Sequence, residues 1–296
     1  HKVGASLYFE IPLRVMGREW LLASSVESTT YNMVGFIGSV NNVMHFRFAL
    51  QDGMVQLRLV ENAVVVDEAD GRMRRLLEMN YADPVWNGYK VLAYTPDSSA
   101  VVVDVTSLFL SDVKELSPLN AKSGRYEIMG SLVGGHSLLG DIKAYEDNVT
   151  IKSSLVYNAT VWLSIFPLMR NSLTSIETTR TLVLLPKDKM KPRVYDSRVG
   201  VFSTTQKCIP KEGEGIRPQA YVHRWRLEPK DREAYFNGEL TEPVKPITMY
   251  VDNNFPENWK EPIKKGILSW NTLFEKIGFK NAILVKDFPK DDPLFD

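Results

Sequence analysis

The chain has 296 residues, of which 44% are hydrophobic and 24% charged, a balance that is typical of a folded globular protein rather than a disordered one. Thirty-six basic residues match thirty-six acidic ones, so no net electrostatic field attracts the chain as a whole to nucleic acid or to an anionic membrane. The longest apolar runs, such as "VWLSIFPLM", are far shorter than the roughly 20 residues of a transmembrane helix, which predicts that this sequence has no transmembrane segment.

Short strand-like runs separated by turn residues fill the chain from Leu7 to about Leu185. Their spacing predicts a mainly antiparallel β domain over residues 1–186, either sandwich-like or barrel-like. The dipeptide Asp52-Gly53 supplies the positive φ angles of a tight turn, so we expect "HFRFAL" and "MVQLRLV" to pair as a hairpin. "VTSLFLSDVKEL" is expected to add a short helix capped by Thr106 or Ser107.

Residues 187–244 differ in composition from the β domain, because Pro, Lys, Arg and Glu replace the apolar runs. This composition predicts an extended connector. It contains the single cysteine, Cys208, which excludes an internal disulfide. Because the chain starts at His1 without a Met or an apolar leader, we expect its natural N-terminus to be missing.

Residues 245–296 have the pattern of a β-α-β unit. "PITMYVD" and "NAILVKDF" are predicted strands, and a crossover through one helix favours parallel pairing. The apolar residues of the helix recur at helical spacing, and we expect the two strands and the β domain to cover most of this stripe. The stripe consists of Trp259, Ile263, Ile267, Trp270, Phe274 and Ile277, while the opposite face carries Lys260, Lys264, Lys265, Asn271 and Glu275. Gly278 is the predicted left-handed cap, and the sheet would need more strands than this chain supplies.

Residues that carry chemistry do not form a complete site in this sequence. The histidines lack the HExxH spacing of a zinc helix, and His45 and His223 are interpreted as surface or structural. "GSLVGGHS" has the glycine spacing of a phosphate loop, but His136 stands where the lysine is needed, so a glycine-rich loop between strands is the better interpretation. No nucleophilic serine or cysteine pattern is complete, and the acidic pairs Asp67/Glu68 and Asp291/Asp292 are interpreted as solvated charge. We therefore assign no catalytic and no metal-binding residue.

Several long motifs, in the same order, resemble a family of large bacterial zinc-dependent metalloproteases whose front half is a domain of unknown function. "KVGASLYFEIPLRVMGREWLLASSV" resembles the opening of that family, "VVVDVTSLFLSD" its middle, "LPKDKMKPRVYDSRVGVFSTTQ" the end of the front domain and "YVHRWRLEPKD" the approach to the peptidase domain. "KPITMYVDNNFPENWKEPIKKGILSWNTLFEKIGFKNAI", from Lys245 to Ile283, resembles the first strand, first helix and second strand of a metzincin-type peptidase.

The resemblance implies that this chain is the non-catalytic front region and cleft scaffold of a zinc-dependent hydrolase. It also implies that the zinc-binding HExxHxxGxxH helix lies beyond Asp296, so the zinc and the glutamate base belong to the parent protein. The implied partners are the rest of the peptidase domain and a peptide or protein substrate. The resemblance also implies that the protein is either secreted or located in the cell envelope, where it would be periplasmic or an outer-membrane lipoprotein. Trp259, Ile263, Ile267, Trp270 and Phe274 would form the core of the scaffold helix.

Front domains of metallopeptidases often keep the enzyme latent by placing an anionic ligand on the zinc. Asp196 is the candidate carboxylate and Cys208 the candidate thiolate. The alternative is that Arg193, Asp196 and Arg198 form a local ion-pair cluster that fixes the path of the connector.

A second hypothesis is a stand-alone β-rich binding or structural module for envelope glycans or proteins. In that case the last fifty or so residues are an accessory α/β element. The presence or absence of HExxH in the hundred or so codons that follow would distinguish the two hypotheses.

Overall fold

The computed structural model describes residues 1–34, 37–38, 40–60, 64–66, 71–119, 122–123, 125–209 and 215–289. It is mainly β, with 49% strand and 16% helix, which confirms the predicted fold class in this coarse form. Two compact units divide the chain: His1–Lys189 with Gln206–Pro218, and Met190–Thr205 with Gln219–Asp296. The boundaries predicted at residues 186 and 244 stay predictions. No helix among the described residues is long and apolar enough to cross a bilayer.

The strands of the described residues are β1 (Lys2–Val3), β2 (Ser6–Pro12), β3 (Glu19–Thr29), β4 (Val40–Gln51), β5 (Met54–Leu59), β6 (Val64–Val66), β7 (Val85–Tyr94), β8 (Ala100–Asp104), β9 (Lys122–Ser123), β10 (Tyr126–Leu132), β11 (Leu138–Ala144), β12 (Asn148–Leu163), β13 (Phe166–Leu184), β14 (Ser203–Ile209), β15 (Arg217–Val222), β16 (Ile247–Val251) and β17 (Ile283–Asp287). The helices are α1 (Gly71–Asn80), α2 (Thr106–Leu110), α3 (Arg232–Phe236), α4 (Glu257–Leu268) and α5 (Asn271–Glu275), and short 3-10 turns span Leu13–Val15 and Lys114–Leu116.

The first unit is built on a twelve-stranded sheet of order β1-β2-β8-β7-β5-β4-β3-β13-β12-β10-β9, with β11 also paired to β12. Its ladders are antiparallel, as the sequence predicts. In the part of the chain that the structure describes the strand path is open, with ends at β1 and β9. Lys2 Nζ donates to the carbonyl oxygen of Leu139 in β11 at 2.9 Å, so the sheet curls until β1 approaches β11. A smaller sheet has the order β15-β14-β6.

Two local predictions can be compared with this sheet. The β4–β5 hairpin is confirmed, because Gln51 pairs with Met54 around Asp52 (φ +50°) and Gly53 (φ +73°). The short helix α2 is also confirmed, but the predicted caps are wrong: Val105 is at the N-cap, and the Asp104 carboxylate accepts from the Thr106 N–H at 2.9 Å. The Thr106 hydroxyl does not cap the helix; it accepts a hydrogen bond from the Leu7 N–H at 2.8 Å.

A layer of buried polar side chains divides the interior of the first unit into two apolar clusters. Along the inward face of β3 the order is Leu22, Ser24, Val26, so a polar residue stands between two apolar ones. The neighbouring strands repeat this order at the same level, because Ser24 pairs with Arg180 and Ser153 pairs with Thr178. The layer consists of Ser24, Ser153, Thr178 and Arg180. It separates two cores that share one sheet.

Arg180 is the largest member of this layer and is fully buried. Its Nη1 donates to the carbonyl oxygen of Leu108, while Nε and Nη2 have no hydrogen-bond partner among the described residues. Burial lowers the pKa of Arg180 to about 10, against the opposing effects of Tyr157 and Asp112. The Tyr157 hydroxyl donates to Asp112 Oδ1 at 3.0 Å. A buried cation with two nitrogens that lack a partner among the described residues is a costly arrangement.

A charged cluster on the outer side of β3 and β4 surrounds Glu19. One carboxylate oxygen accepts from Arg47 Nη2 at 3.0 Å, and the other lies 3.1 Å from His45 Nε2 and 2.8 Å from Lys189 Nζ. Arg47 also donates to Asp83 at 2.9 Å. Burial alone would raise the pKa of Glu19, but the hydrogen bonds and charges of Lys189 and Arg47 outweigh it and hold this pKa at about 2. The cluster therefore stabilises the ionised form.

Replacing Glu19 by glutamine should lower the free energy of unfolding of the first unit at pH 7 by about 1.5 kcal/mol. Because the pKa of Glu19 is lower in the folded state, its contribution is complete above its ordinary value of 4.5 and is lost as the pH falls toward about 2. Urea unfolding between pH 7 and pH 2 measures this, with Glu10→Gln, which removes an exposed pair to His1, as the control. An equally steep acid loss in Glu19→Gln and the wild type would contradict the prediction.

Candidate functional site

The β-α-β unit of the second compact unit is the candidate site. Strands β16 and β17 pair in parallel, with Ile247 opposite Ile283 and Val251 opposite Asp287. This confirms the predicted parallel pairing. Ile247, Val251, Ala282 and Ile283 are buried and fix the strands against the rest of the unit.

The predicted single helix is two segments, α4 and α5, joined through Ser269 and Trp270, which both keep right-handed helical angles. The expectation that the strands and the β domain cover the apolar stripe is wrong for its edge: Trp259 is 58% exposed and Trp270 59%. Ile263, Ile267 and Phe274 are half-buried. The stripe is thus turned partly away from the strands.

Polar contacts explain this rotation. Lys264 Nζ reaches Asp287 Oδ1 of β17 at 2.9 Å and Glu261 at 3.2 Å. The Lys260 side chain, expected on the solvent face, is only 12% exposed and pairs with Glu257 at 2.6 Å. Long lysine stems pack along apolar surface while the ammonium groups remain paired, so the lysine edge of the helix lies toward β17 and the tryptophan edge toward solvent.

Asn271 makes the most specific contact between the helix and the sheet. Its Nδ2 donates to the carbonyl oxygen of Ile283 at 2.9 Å, and its Oδ1 accepts from the Ile283 N–H at 2.9 Å. The side-chain amide thus occupies one edge of β17 as a neighbouring strand would. The helical spacing placed Asn271 on the solvent face, and that expectation is wrong.

Asn271→Leu should lower the free energy of unfolding of the second unit by about 1.5 kcal/mol, because both backbone groups of Ile283 lose their partner in a half-buried position. Asn271→Asp should lose roughly half as much, since a carboxylate still accepts from the N–H. Hydrogen exchange of the Ile283 amide measures the effect, and Lys265→Leu on the exposed side of α4 is the control. If the Ile283 amide exchanged at the same rate in Asn271→Leu as in the wild type, the side-chain amide of Asn271 would contribute only packing.

Gly278 ends the helical segment as predicted, with φ at +93°. Its N–H donates to the carbonyl oxygen of Glu275, and the N–H of Phe279 donates to that of Phe274, both at 3.0 Å. This is the Schellman arrangement, which satisfies the last carbonyl groups of a helix. A Cβ atom at Gly278 would lie 2.6 Å from Tyr235 Cε2, so the tyrosine ring fills the space that a side chain would need.

A cavity of about 660 Å³ lies beside the start of β16. Its apolar lining comes from Trp225, Val244, Pro246 and Ile247. Its polar wall includes Arg226, whose Nε donates to Glu228 at 2.8 Å. The lining thus combines apolar contact with an ion pair and the polar residues Lys245 and Thr248.

The two candidate latency residues occupy different settings. Arg198 donates to both carboxylate oxygens of Asp196, from Nε at 2.9 Å and from Nη2 at 2.5 Å, and this holds the pKa of Asp196 below its usual value. The local ion-pair interpretation is confirmed for these two residues, whereas the carbonyl oxygen of Arg193 accepts from the Val222 N–H at 3.0 Å. Cys208 is half-buried in β14, opposite Val65 of β6. A latency role for Asp196 or Cys208 stays a prediction.

The remaining candidates also have structural partners. His223 Nε2 lies 2.6 Å from the Thr204 hydroxyl, and His136 belongs to the loop between β10 and β11. Within the described ranges no three His, Cys, Asp or Glu side chains come together as a metal site. The described residues therefore do not fit a zinc ion. The acidic pairs Asp67/Glu68 and Asp291/Asp292 lie outside the described residues.

Comparison with known proteins gives one match. The model of the family described as "Domain of unknown function (DUF5117)" matches residues 38–230. No curated protein matches, and no solved structure matches. The match agrees with the part of the resemblance that concerns a front domain of unknown function. This chain belongs to the DUF5117 family.

Proposed function

We propose that this chain is the front, non-catalytic region of a secreted or cell-envelope zinc-dependent metallopeptidase. In this proposal β16, α4, α5 and β17 form the first crossover of the peptidase domain and contribute to the wall of its substrate cleft. The resemblance of Lys245–Ile283 to a metzincin-type opening supports the identity of the unit. The family match is to a domain of unknown function and names no activity.

The observation that carries the proposal is the parallel pairing of β16 with β17 beneath a partly exposed helix. Parallel strands occur almost only inside larger sheets that are covered by helices on both faces. Two strands alone are also too few for a stable sheet. The exposed rings of Trp259 and Trp270 suit a surface that further structure covers.

The described residues do not fit a zinc ion, so we assign no catalytic step to them. In a metallopeptidase the zinc supplies an activated water for attack on the peptide carbonyl. The part of this chain would be to fix the position of the cleft-forming sheet. Asn271 at the edge of β17 and the buried Ile247 and Val251 serve that purpose.

The test starts with the reading frame after Asp296, where we expect HExxH within the following hundred or so codons. The longer protein should then retain zinc through dialysis and cleave casein in a chelator-sensitive manner, while the present chain alone does neither. In the longer protein, Trp259→Ser/Trp270→Ser should reduce cleavage, whereas Phe202→Ser, at an aromatic residue that is 84% exposed in the same unit, should have less effect. A reading frame without HExxH would contradict the proposal and favour a β-rich binding module for envelope glycans or proteins.

A further inference from the structure

The turn that connects β12 to β13 exposes an unusual number of large apolar side chains. We call Leu163–Leu168 the hairpin tip. Ile165 is 75% exposed and Phe166 66%, and both Leu163 and Leu168 are also exposed. No charged residue occurs between positions 159 and 169. Isolated exposed apolar residues are common, but a contiguous group of this kind indicates an interaction surface.

The hairpin tip extends past the neighbouring strand on one side. The ladder between β13 and β3 ends at Ile176, whereas β13 continues to Phe166 paired with β12. On the other side β10 reaches the tip, because Tyr126 pairs with Leu163 and the Ser164 N–H donates to the carbonyl oxygen of Arg125 at 2.5 Å. The tip is therefore held by backbone pairing on both sides of β12, beyond two register shifts between Ala159 and Trp162, while its side chains project outward.

A cavity of about 800 Å³ lies at the base of the same hairpin. Its polar lining includes Arg170, Asn158, Asn171 and Ser131, and its apolar lining includes Trp162 and Met129. Asn171 has φ at +41° and is braced by its own N–H, which donates to the Thr160 hydroxyl at 3.1 Å. Among the described residues, the side chains of Arg170, Asn158 and Ser131 have no hydrogen-bond or ion-pair partner. These groups are available to a ligand.

Positive charge lies both beside the tip and at its base. Arg125, whose carbonyl oxygen accepts from the Ser164 N–H, is exposed beside the tip on the β10 side, and Arg170 is exposed at the base on the β13 side. Neither guanidinium has an ion-pair partner within the described ranges, while the nearby Glu127 does have an interaction partner. The chain as a whole has a formal net charge of zero, so any attraction to an anion here is local.

We propose that this hairpin docks on an anionic lipid bilayer. The hairpin tip enters the upper acyl region, Trp162 lies at the interface, and the cavity beside Arg170 receives a phosphate headgroup. The order of side chains along the hairpin matches the order of the bilayer, since apolar residues are followed by an aromatic residue and then by arginine and amides. Arg170 follows Phe166 by four strand steps, a length of about 13 Å, which spans an interfacial layer.

The experiment is co-sedimentation of the chain with vesicles of phosphatidylcholine alone or with about 30 mol% phosphatidylglycerol, whose negative surface potential attracts basic residues. The wild type should bind the phosphatidylglycerol vesicles. Ile165→Asn/Phe166→Asn should weaken this binding at least about tenfold, and Arg170→Gln should remove the preference for the anionic vesicles. The matched control is Leu92→Asn/Tyr94→Asn, which changes two exposed side chains of β7 and should bind as the wild type does.

Several results would overturn the proposal. Equal binding by the tip variant and the wild type would show that the tip is not the contact. Tip-dependent self-association without vesicles would identify a second copy as the occupant, and binding of inorganic phosphate at Arg170 without vesicle binding would identify a soluble anion site. Since the substituted side chains are exposed, unchanged circular dichroism and melting temperature confirm that each variant is folded.

Discussion

Replacing Arg180 by alanine is expected to lower the free energy of unfolding of the first compact unit by about 3 kcal/mol. The side chain is fully buried between β3, β12 and α2, so its removal leaves a cavity in a close-packed layer. The substitution also removes the donor to the Leu108 carbonyl oxygen and the cation near Tyr157 and Asp112. Hydrogen exchange of the β13 amides measures the loss without interference from the second unit.

Arg180→Met separates the volume of the side chain from its charge. Methionine fills most of the space, and it removes two buried nitrogens that have no partner among the described residues. We therefore expect the free energy of unfolding to stay within about 1 kcal/mol of the wild type, as happens when buried ions are replaced by apolar residues of similar volume. If Arg180→Met and Arg180→Ala lowered the free energy of unfolding equally, the contacts of the guanidinium group would outweigh the cost of its desolvation.

Gly278→Ala is expected to lower the free energy of unfolding of the second unit by about 3 kcal/mol. An alanine with φ near +93° is strained, and its Cβ atom would lie 2.6 Å from Tyr235 Cε2. Tyr235 cannot easily move away, because its ring packs against Phe279 with centroids 5.1 Å apart and against Phe236 at 5.8 Å. The helix end and the buried Phe279 should become disordered together, which faster exchange of the Phe279 amide would report.

Gly238→Ala is the matched control for this prediction. Gly238 has a similar φ of +83°, but a Cβ atom there would meet nothing within 4 Å. Gly238→Ala should therefore lower the free energy of unfolding by only about 1 kcal/mol, which is the cost of placing alanine at a positive φ. If Gly278→Ala and Gly238→Ala lowered the free energy of unfolding equally, the Tyr235 ring must move aside, and the strain in φ would explain the whole effect.

Much of the fold follows from local patterns in the sequence. Alternation and turn residues predict the antiparallel β domain, Asp52-Gly53 predicts the β4–β5 hairpin, and the crossover pattern predicts the parallel pairing of β16 with β17. Gly278 is predicted as a cap for the same reason, since a positive φ is a property of a single residue and its nearest hydrogen bonds. The turn and the cap depend on neighbours within a few residues, and the parallel pairing follows from the order of strand, helix and strand, so a sequence can specify these features directly.

Other features depend on contacts between distant segments. Arg180 continues the inward alternation of β13, from Ile176 to Leu182, and this alternation is the signal by which its burial could have been found. Glu19 meets Lys189 across 170 positions of the chain, and no local pattern indicates that pairing.

The sequence by itself determined the outline of the antiparallel β domain, the tight turn at Asp52-Gly53 and which helix face is apolar. It did not indicate β14, β15 and α3, which lie within the segment predicted as an extended connector. Only the tertiary structure decided which part of that face is covered. Hydrophobic periodicity gives the direction of the apolar stripe, but the bonds from Asn271 to Ile283 and from Lys264 to Asp287 rotate the helix about its axis. Directional polar contacts to a strand are not encoded in helical spacing. Trp259 and Trp270 are exposed for this reason, although their spacing alone predicted burial.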